Sequence, residues 1–238
     1  MKNLTPSPYD KFLSWARYLF WCDLLYQRYY EHDEADFDDT SEATSLTFAL
    51  SSQWLASMYV VIEGWDKASL QDEVIDDLLS LYEDFVVILK RFRHGVFHYQ
   101  NETFDSRFTN FILNGSESLL WSFALMYEFK RFYWQSPTRI FSDINEDEAR
   151  KLLRDSIGWM PIDIFHKKIA DAYDLRNTVL MKMSDIGDYH SAEAKELLAA
   201  VESLEQAARN IEPSPLLSQL PRFSASRKNA DCMRKTTT

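Results

Sequence analysis

Glycine and proline are scarce in this sequence, with five glycines and seven prolines among 238 residues. A fold made of strands and tight turns needs both residue types often, because glycine reaches positive φ and proline fixes a bend. Hydrophobic residues nevertheless make up 46 % of the chain and aromatic residues 15 %, which is enough to fill a substantial core. Together these features predict an all-α fold.

Cysteine and positive charge are also in short supply. The two cysteines, Cys22 and Cys232, have the spacing of neither a disulfide framework nor a metal motif. The net charge of −11 opposes non-specific binding to phosphate backbones, so a nucleic acid would have to meet a local basic patch. The N-terminus is polar, and the longest apolar stretches fall short of the roughly 20 residues of a membrane span. We therefore expect a soluble, cytoplasmic protein that does not enter a membrane.

Helical patterns follow one another along the chain with few interruptions. They predict helices at about residues 7–30, 40–65, 69 to at least 92, 116–134, 145–157, 162–183 and 191–211. The second helix is expected to close at Gly64, the acidic run 31–39 to be an exposed loop, and the connection 101–115 to hold at most a short helix. This pattern predicts a helical bundle over residues 1–136, additional helices over 137–212 packed on it, and a flexible basic tail over 213–238.

The third helix carries the stretch RHGVFHYQ, residues 93–100, at its far end. A helical wheel places a core-facing stripe on one side, made of Val74, Leu78, Leu81, Phe85, Leu89, Phe92, Val96 and Tyr99. His94 and His98 fall on the polar side and are neighbours, because they are four residues apart. Arg93 lies on the flank of the stripe. Gly95 either gives room for the close approach of a backbone or a phosphate, or ends the helix.

Arg93, His94 and His98 together resemble the signature of the HEPN superfamily, in which an arginine precedes a histidine by four to six residues. In that family the residue after the arginine is usually asparagine, aspartate or histidine. HEPN domains are helical bundles with this motif late in a long helix, so the resemblance implies such a bundle over residues 7–136. Many members are metal-independent ribonucleases whose two motifs meet across a homodimer. Toxin, phage-defence and RNA-processing roles would fit, with an antitoxin-like protein as partner.

The resemblance implies that Arg93 and His98 are the catalytic residues. The 2′-hydroxyl of RNA would attack the adjacent phosphorus, and His98 would act as the acid or base, since imidazole exchanges protons near neutral pH. Arg93 would stabilise the negative charge of the transition state through paired hydrogen bonds. His94 would orient the phosphate or the partner motif. DNA lacks the 2′-hydroxyl, so the expected substrate is RNA alone.

Three further residues are expected to support this site. Lys90 and Arg91 extend the positive patch and would bind RNA despite the acidic total. Glu63, at the end of the second helix, is either an exposed carboxylate or the partner that holds Arg93.

Two other interpretations stay open. His94 and His98 have the HxxxH spacing that can place two ligands on one metal ion, and Asp163 and His166 could add to it. No cysteine pair or nearby third histidine accompanies them, so we expect neither a metal nor a cofactor. The second interpretation is a non-catalytic helical module that binds nucleotides or proteins, which the acidic charge and the aromatic first helix favour.

Overall fold

Helices make up nearly all of the chain that can be described. A computed structural model describes residues 6–34, 41–102, 105–113, 115–136, 145–159 and 212–227. No strand occurs among these residues, and the predicted all-α helical bundle is confirmed. Nearly all of them belong to a compact unit formed by Met1–Trp159 and Pro213–Thr238. The helices predicted at 162–183 and 191–211 lie outside the described residues.

The helices of the described part follow the predicted order. They are α1 (Pro8–Glu34), α2 (Ser41–Ala68), α3 (Glu73–Leu81), α4 (Glu83–Phe97), α5 (Ser106–Leu113), α6 (Gly115–Gln135) and α7 (Glu146–Ile157). A 3₁₀ helix, Pro215–Gln219, and a helical turn at residues 221–227 come last. The prediction of an exposed loop from residue 31 is wrong for 31–34, which are the last turn of α1.

The second helix does not close at Gly64, as the sequence predicted, but continues for another turn. Gly64 serves packing instead, because a Cβ at this position would lie 3.2 Å from Cδ1 of Trp15. The helix ends at Ser69, whose φ of 55° is left-handed. The N–H of Leu70 then donates to the carbonyl of Trp65 at 3.1 Å, a bond typical of helix C-termini.

Aromatic side chains from α1, α2 and α6 form the centre of the bundle. Trp15, which is 1 % exposed, contacts four other rings with centroid separations of 5.6 to 6.0 Å, those of Phe12, Trp65, Phe129 and Phe132. These rings meet largely edge to face, the arrangement that the aromatic quadrupole favours. Phe12 and Trp15 of the first helix therefore belong to the core, whereas Tyr18, Trp21 and Tyr30 of the same helix are exposed.

The predicted third helix is two helices, because the chain bends at Tyr82 (φ −120°, ψ 35°). The Tyr82 side chain is fully buried. Two carbonyls of the last α3 turn accept hydrogen bonds from distant side chains: Leu78 from the Trp121 indole at 3.2 Å, and Leu81 from Arg222 at 3.2 Å. Side chains that bond into a helix in this way are a recognised cause of bends.

The core-facing stripe is confirmed in its middle and is wrong at its end. Leu78, Phe85, Leu89 and Phe92 are buried. Tyr99, which was expected in the core, is 92 % exposed. The reason is that α4 ends at Phe97 and His98 is extended (φ −125°, ψ 139°), so the helical wheel no longer applies.

Two neighbouring cations of α6 are buried, and each has acidic partners on other elements. Lys130 is 2 % exposed, and its Nζ lies 2.7 Å from Oδ1 of Asp23 in α1. Gln27 donates to the other carboxylate oxygen of Asp23 at 2.8 Å. The Lys130 ammonium also lies 5.3 Å from the centroid of the Tyr26 ring. A buried charge is tolerated only when it is paired and hydrogen-bonded in this way.

Arg131 connects three parts of the bundle. Its guanidinium donates to Glu128, to Gln135 at 2.8 Å and to Asp72 at 2.6 Å. Asp72 also caps α3 by accepting from backbone N–H groups. Glu128 accepts from the N–H of Ser214; burial raises the pKa of its carboxyl, and the charge of Arg131 opposes that rise.

The prediction of a flexible tail is wrong for residues 214–227. These residues pack on the bundle and are called the C-terminal segment below. Three apolar side chains of this segment are buried, namely Leu217, Leu220 and Phe223. Arg222 donates to Asp84 at 3.0 Å and lies 4.8 Å from the centroid of the Tyr82 ring. Apolar burial and an ion pair therefore hold this segment across the junction of α3 and α4.

Replacing Lys130 by Met should lower the free energy of unfolding by about 3–5 kcal/mol, because Asp23 stays buried without its cation. Urea denaturation measures this change. Arg28→Ala is the matched control: it removes a pair with Glu31 whose side chains are 76 % and 63 % exposed, and it should cost less than about 1 kcal/mol. Equal costs for the two variants would contradict the buried pair.

Replacing Arg222 by Ala should speed amide hydrogen exchange in residues 214–227 and leave exchange in α1 unchanged. Hydrogen bonds from Arg222 lower the pKa of the Asp84 carboxyl, so this pair is formed at neutral pH and is lost as the pH falls through that lowered pKa. The wild type in acid should therefore show the same local loss of protection, measured against the intrinsic exchange rate of each amide at that pH. Unchanged exchange in Arg222→Ala would mean that the apolar contacts hold the segment alone.

Candidate functional site

The two histidines of the RHGVFHYQ stretch lie together on the outside of the bundle. His94 is in the last turn of α4, His98 is the residue that caps it, and both are exposed. Their rings are nearly parallel, with an interplanar angle of 17° and centroids 5.8 Å apart. The predicted placement of both histidines on a polar, solvent-facing side is therefore confirmed.

The end of α4 is fixed by a side chain that follows it. The amide nitrogen of Gln100 donates to three carbonyls of the last turn: His98 at 2.5 Å, and His94 and Gly95 at 3.4 Å each. These carbonyls lack partners within the helix, and a side-chain donor can satisfy them. Gln100 thus holds His98 in its extended conformation. Sequence analysis did not identify this role, and the glutamine two residues after His98 was the only available signal.

Gly95 allows a second helix to approach α4. A Cβ at Gly95 would lie 3.2 Å from Cβ of Arg107 and 3.3 Å from Cε2 of Phe108, both in α5. Arg107 is held in turn by Asp105 at 2.7 Å. Gly95 therefore neither ends the helix nor leaves open space for a phosphate, because α5 fills that space.

Arg93 faces inward, away from the solvent-facing histidine pair. Its guanidinium carbon lies 5.8 Å from the centroid of the Tyr59 ring in α2. Its Nε is buried and has no hydrogen-bond partner among the described residues. Arg93 also lines a cavity of about 520 Å³ between the first two helices, and neither His94 nor His98 lines that cavity. Within one chain, the arginine of the motif therefore lines the inner cavity, whereas the two histidines face solvent.

Glu63 lies at the same cavity, but its hydrogen-bonded cation is Lys67, at 2.9 Å. The pKa of the Glu63 carboxyl is lowered, mainly by this hydrogen bond and further by the nearby charges of Arg93 and Lys90. Glu63 therefore binds Lys67 directly and not Arg93, which was the partner expected from the sequence. The charges of Glu63 and Arg93 attract each other at longer range.

Lys90 and Arg91 are exposed on α4, on the side that carries the histidines. Two apolar side chains lie among these cations: Val87 is 46 % exposed and Phe97 is 51 % exposed. The outer face of α4, defined as residues 87, 90, 91, 94, 97 and 98, is therefore basic and partly apolar.

A metal site at the histidine pair would need further ligands. Within the described ranges, no group of three or more histidine, cysteine, aspartate or glutamate side chains is placed to hold an ion. Asp163 and His166 lie outside the described residues. The arrangement supports proton transfer and anion binding by His94 and His98 more directly than metal binding.

A function has to be inferred from this geometry, because comparison with known proteins adds nothing to it. No protein-family model, characterised protein or solved structure matches the chain.

One part of α2, Thr44–Ala68, is long and apolar enough to cross a membrane by length and composition. The sequence analysis did not identify this stretch. A core helix of a soluble protein gives the same signal, and Trp54, Met58 and Val61 of this stretch are buried in the bundle. The cytoplasmic, membrane-free localisation stays a prediction.

Replacing Gly95 by Val should lower the free energy of unfolding by about 1–3 kcal/mol, because the new side chain overlaps Arg107 and Phe108. His94→Ala and His98→Ala remove exposed side chains and should each change it by less than about 0.5 kcal/mol. Chemical denaturation of the three variants checks both statements. A fully stable Gly95→Val would contradict the close approach of α5.

Proposed function

We propose that this protein is a metal-independent RNA endonuclease of the HEPN type that acts as a homodimer. The observation that carries the proposal is the pair of exposed, parallel imidazoles of His94 and His98, 5.8 Å apart. They follow Arg93 by one and five positions in the chain and share their side of α4 with Lys90 and Arg91. Acid–base groups beside cations are what cleavage of a phosphodiester requires.

The proposed reaction needs a base, an acid and a stabiliser of negative charge. The base takes the proton of the 2′-hydroxyl, the bond from O2′ to phosphorus forms, and the bond from phosphorus to O5′ breaks as the acid gives O5′ a proton. The products are a 2′,3′-cyclic phosphate and a 5′-hydroxyl. His98 is the candidate acid or base, and His94 orients the phosphate. Arg93 would stabilise the transition state once its guanidinium turns outward from Tyr59.

Two features support a homodimer. His94 orients the phosphate in this proposal, so each chain supplies one acid–base group, His98, whereas the reaction uses a base and an acid, which two copies can supply. The outer face of α4 also exposes Val87 and Phe97, and Tyr99 next to it is 92 % exposed. Neighbouring exposed apolar side chains mark a surface that a partner covers, and a second copy of the chain is the partner proposed here. A toxin or phage-defence role with an inhibitory protein partner is the biological setting that the HEPN resemblance suggests.

A non-catalytic binding module is the second candidate, and the position of Arg93 favours it. The guanidinium packs over Tyr59 and lines an inner cavity rather than joining the histidines. An arginine that stays in this position would bind a ligand without assisting cleavage at His98.

Wild-type protein should cleave single-stranded RNA in the presence of a chelator and leave cyclic phosphate ends, whereas the same DNA sequence should stay intact. His98→Ala should slow cleavage by about 10²–10⁴-fold, because it removes a general acid or base. Arg93→Ala should cause a loss of about 10²–10³-fold. Lys90→Ala and Arg91→Ala should raise KM with little change in kcat, because they remove binding alone.

Lys151→Ala, on the exposed side of α7, is the control cation and should cleave like the wild type. Equal cleavage by His98→Ala and wild type would disprove the proposed site. A folded wild type that cleaves no RNA in a pool of mixed sequence would favour the binding module.

A further inference from the structure

The cavity at Arg93 has walls from three helices. With about 520 Å³ it is within the range of small-ligand sites. Its apolar lining comes from Trp15, Tyr18 and Val60 among others. Trp15 forms a buried floor, whereas Tyr18 is 37 % exposed, which leaves part of its ring accessible to a ligand.

Two residues that line this cavity, Trp15 and Arg93, each have a buried donor without an acceptor among the described residues. The indole Nε1 of Trp15, a residue that is 1 % exposed, lacks a hydrogen-bond partner within the described ranges, as does Nε of Arg93. The Cδ1 atom of Trp15, which is bonded to Nε1, lies next to Gly64. Gly64 also lines the cavity. Buried donors are normally satisfied, so each of these two can donate a hydrogen bond to an acceptor that reaches it.

The charges around the cavity favour an anion. Three cations line it, Lys11, Lys67 and Arg93, against the two carboxylates of Asp10 and Glu63. Both carboxylates already accept hydrogen bonds, Asp10 from Ser7 at 2.6 Å and Glu63 from Lys67 at 2.9 Å. The local balance is therefore one positive charge, in a chain whose net charge is −11. The guanidinium is the group best suited to bind phosphate oxygens in pairs.

We infer that this cavity binds a small organic phosphate, with the phosphate at Arg93 and Lys67 and the ligand's ring against Tyr18. The buried donors supply hydrogen bonds to acceptor oxygens, and the apolar floor supplies the contact area. The inference does not rest on RNA cleavage, because the histidine pair does not line the cavity.

Isothermal titration calorimetry of the full chain with the four nucleoside 5′-monophosphates tests this site. The matched nucleosides and inorganic phosphate are the comparison ligands. At least one monophosphate should bind about tenfold or more tightly than its nucleoside, because the charged hydrogen bonds require the phosphate. It should also bind more tightly than inorganic phosphate, which lacks the ring.

Variants then locate the bound ligand. Arg93→Gln should weaken monophosphate binding by about tenfold or more, and Lys67→Met by several-fold. The Lys67 side chain is 70 % exposed, so its replacement leaves the fold intact. Trp15→Phe should also weaken binding, because it removes the N–H donor. Arg28→Gln is the matched control: it replaces an arginine of α1 whose side chain is 76 % exposed and does not line the cavity, and it should bind like the wild type.

Three results would overturn the inference: no monophosphate bound at millimolar concentration, equal affinity for monophosphates and nucleosides, or equal losses in Arg28→Gln and Arg93→Gln. The last result would show a general attraction to positive charge in place of a site at the cavity. Since no cleavage is measured, a failure of the proposed nuclease and a failure of this site give separate results.

Discussion

The burial of Lys130 and Arg131, two adjacent cations of α6, is the constraint on which the rest of the bundle depends. Each needs an acidic partner, because an unpaired charge in the interior costs several kcal/mol. The partner of Lys130 is Asp23 of α1, and Arg131 bonds to Glu128 and to Asp72, which caps α3. Satisfying both cations at once fixes α1 and the start of α3 against α6.

This arrangement extends to the candidate site through α3 and α4. The bend at Tyr82 is held by Trp121 of α6 and by Arg222 of the C-terminal segment. The bend sets the direction of α4. At the other end of α4, Gly95 lets α5 pack closely against the last turn. As a result the histidines face solvent while Arg93 faces α2. The motif therefore contributes to two environments, an outer basic face and an inner cavity.

The sequence predicted the helices and the solvent-facing histidines, because periodicity and polarity act locally. It did not predict the bend at Tyr82, which needs side chains that are 39 and 140 positions away. It did not predict the burial of Lys130 and Asp23 either, because charged side chains are seldom fully buried unless they are paired, and the pairing joins two distant helices. The packing of the C-terminal segment on the bundle was not predicted, because the composition of residues 213–238 is polar. The three-residue spacing of the apolar residues Leu217, Leu220 and Phe223 was the signal that could have revealed it.

The central claim is that two copies of the histidine pair form one RNA-cleaving site. The most direct test is the cleavage rate of exchanged mixtures of wild-type and His98→Ala chains at constant total concentration. If both copies must supply His98, the rate falls as the square of the wild-type fraction, to about a quarter at equal amounts. A linear fall, to about a half, would show that each chain cleaves alone and would contradict the shared site.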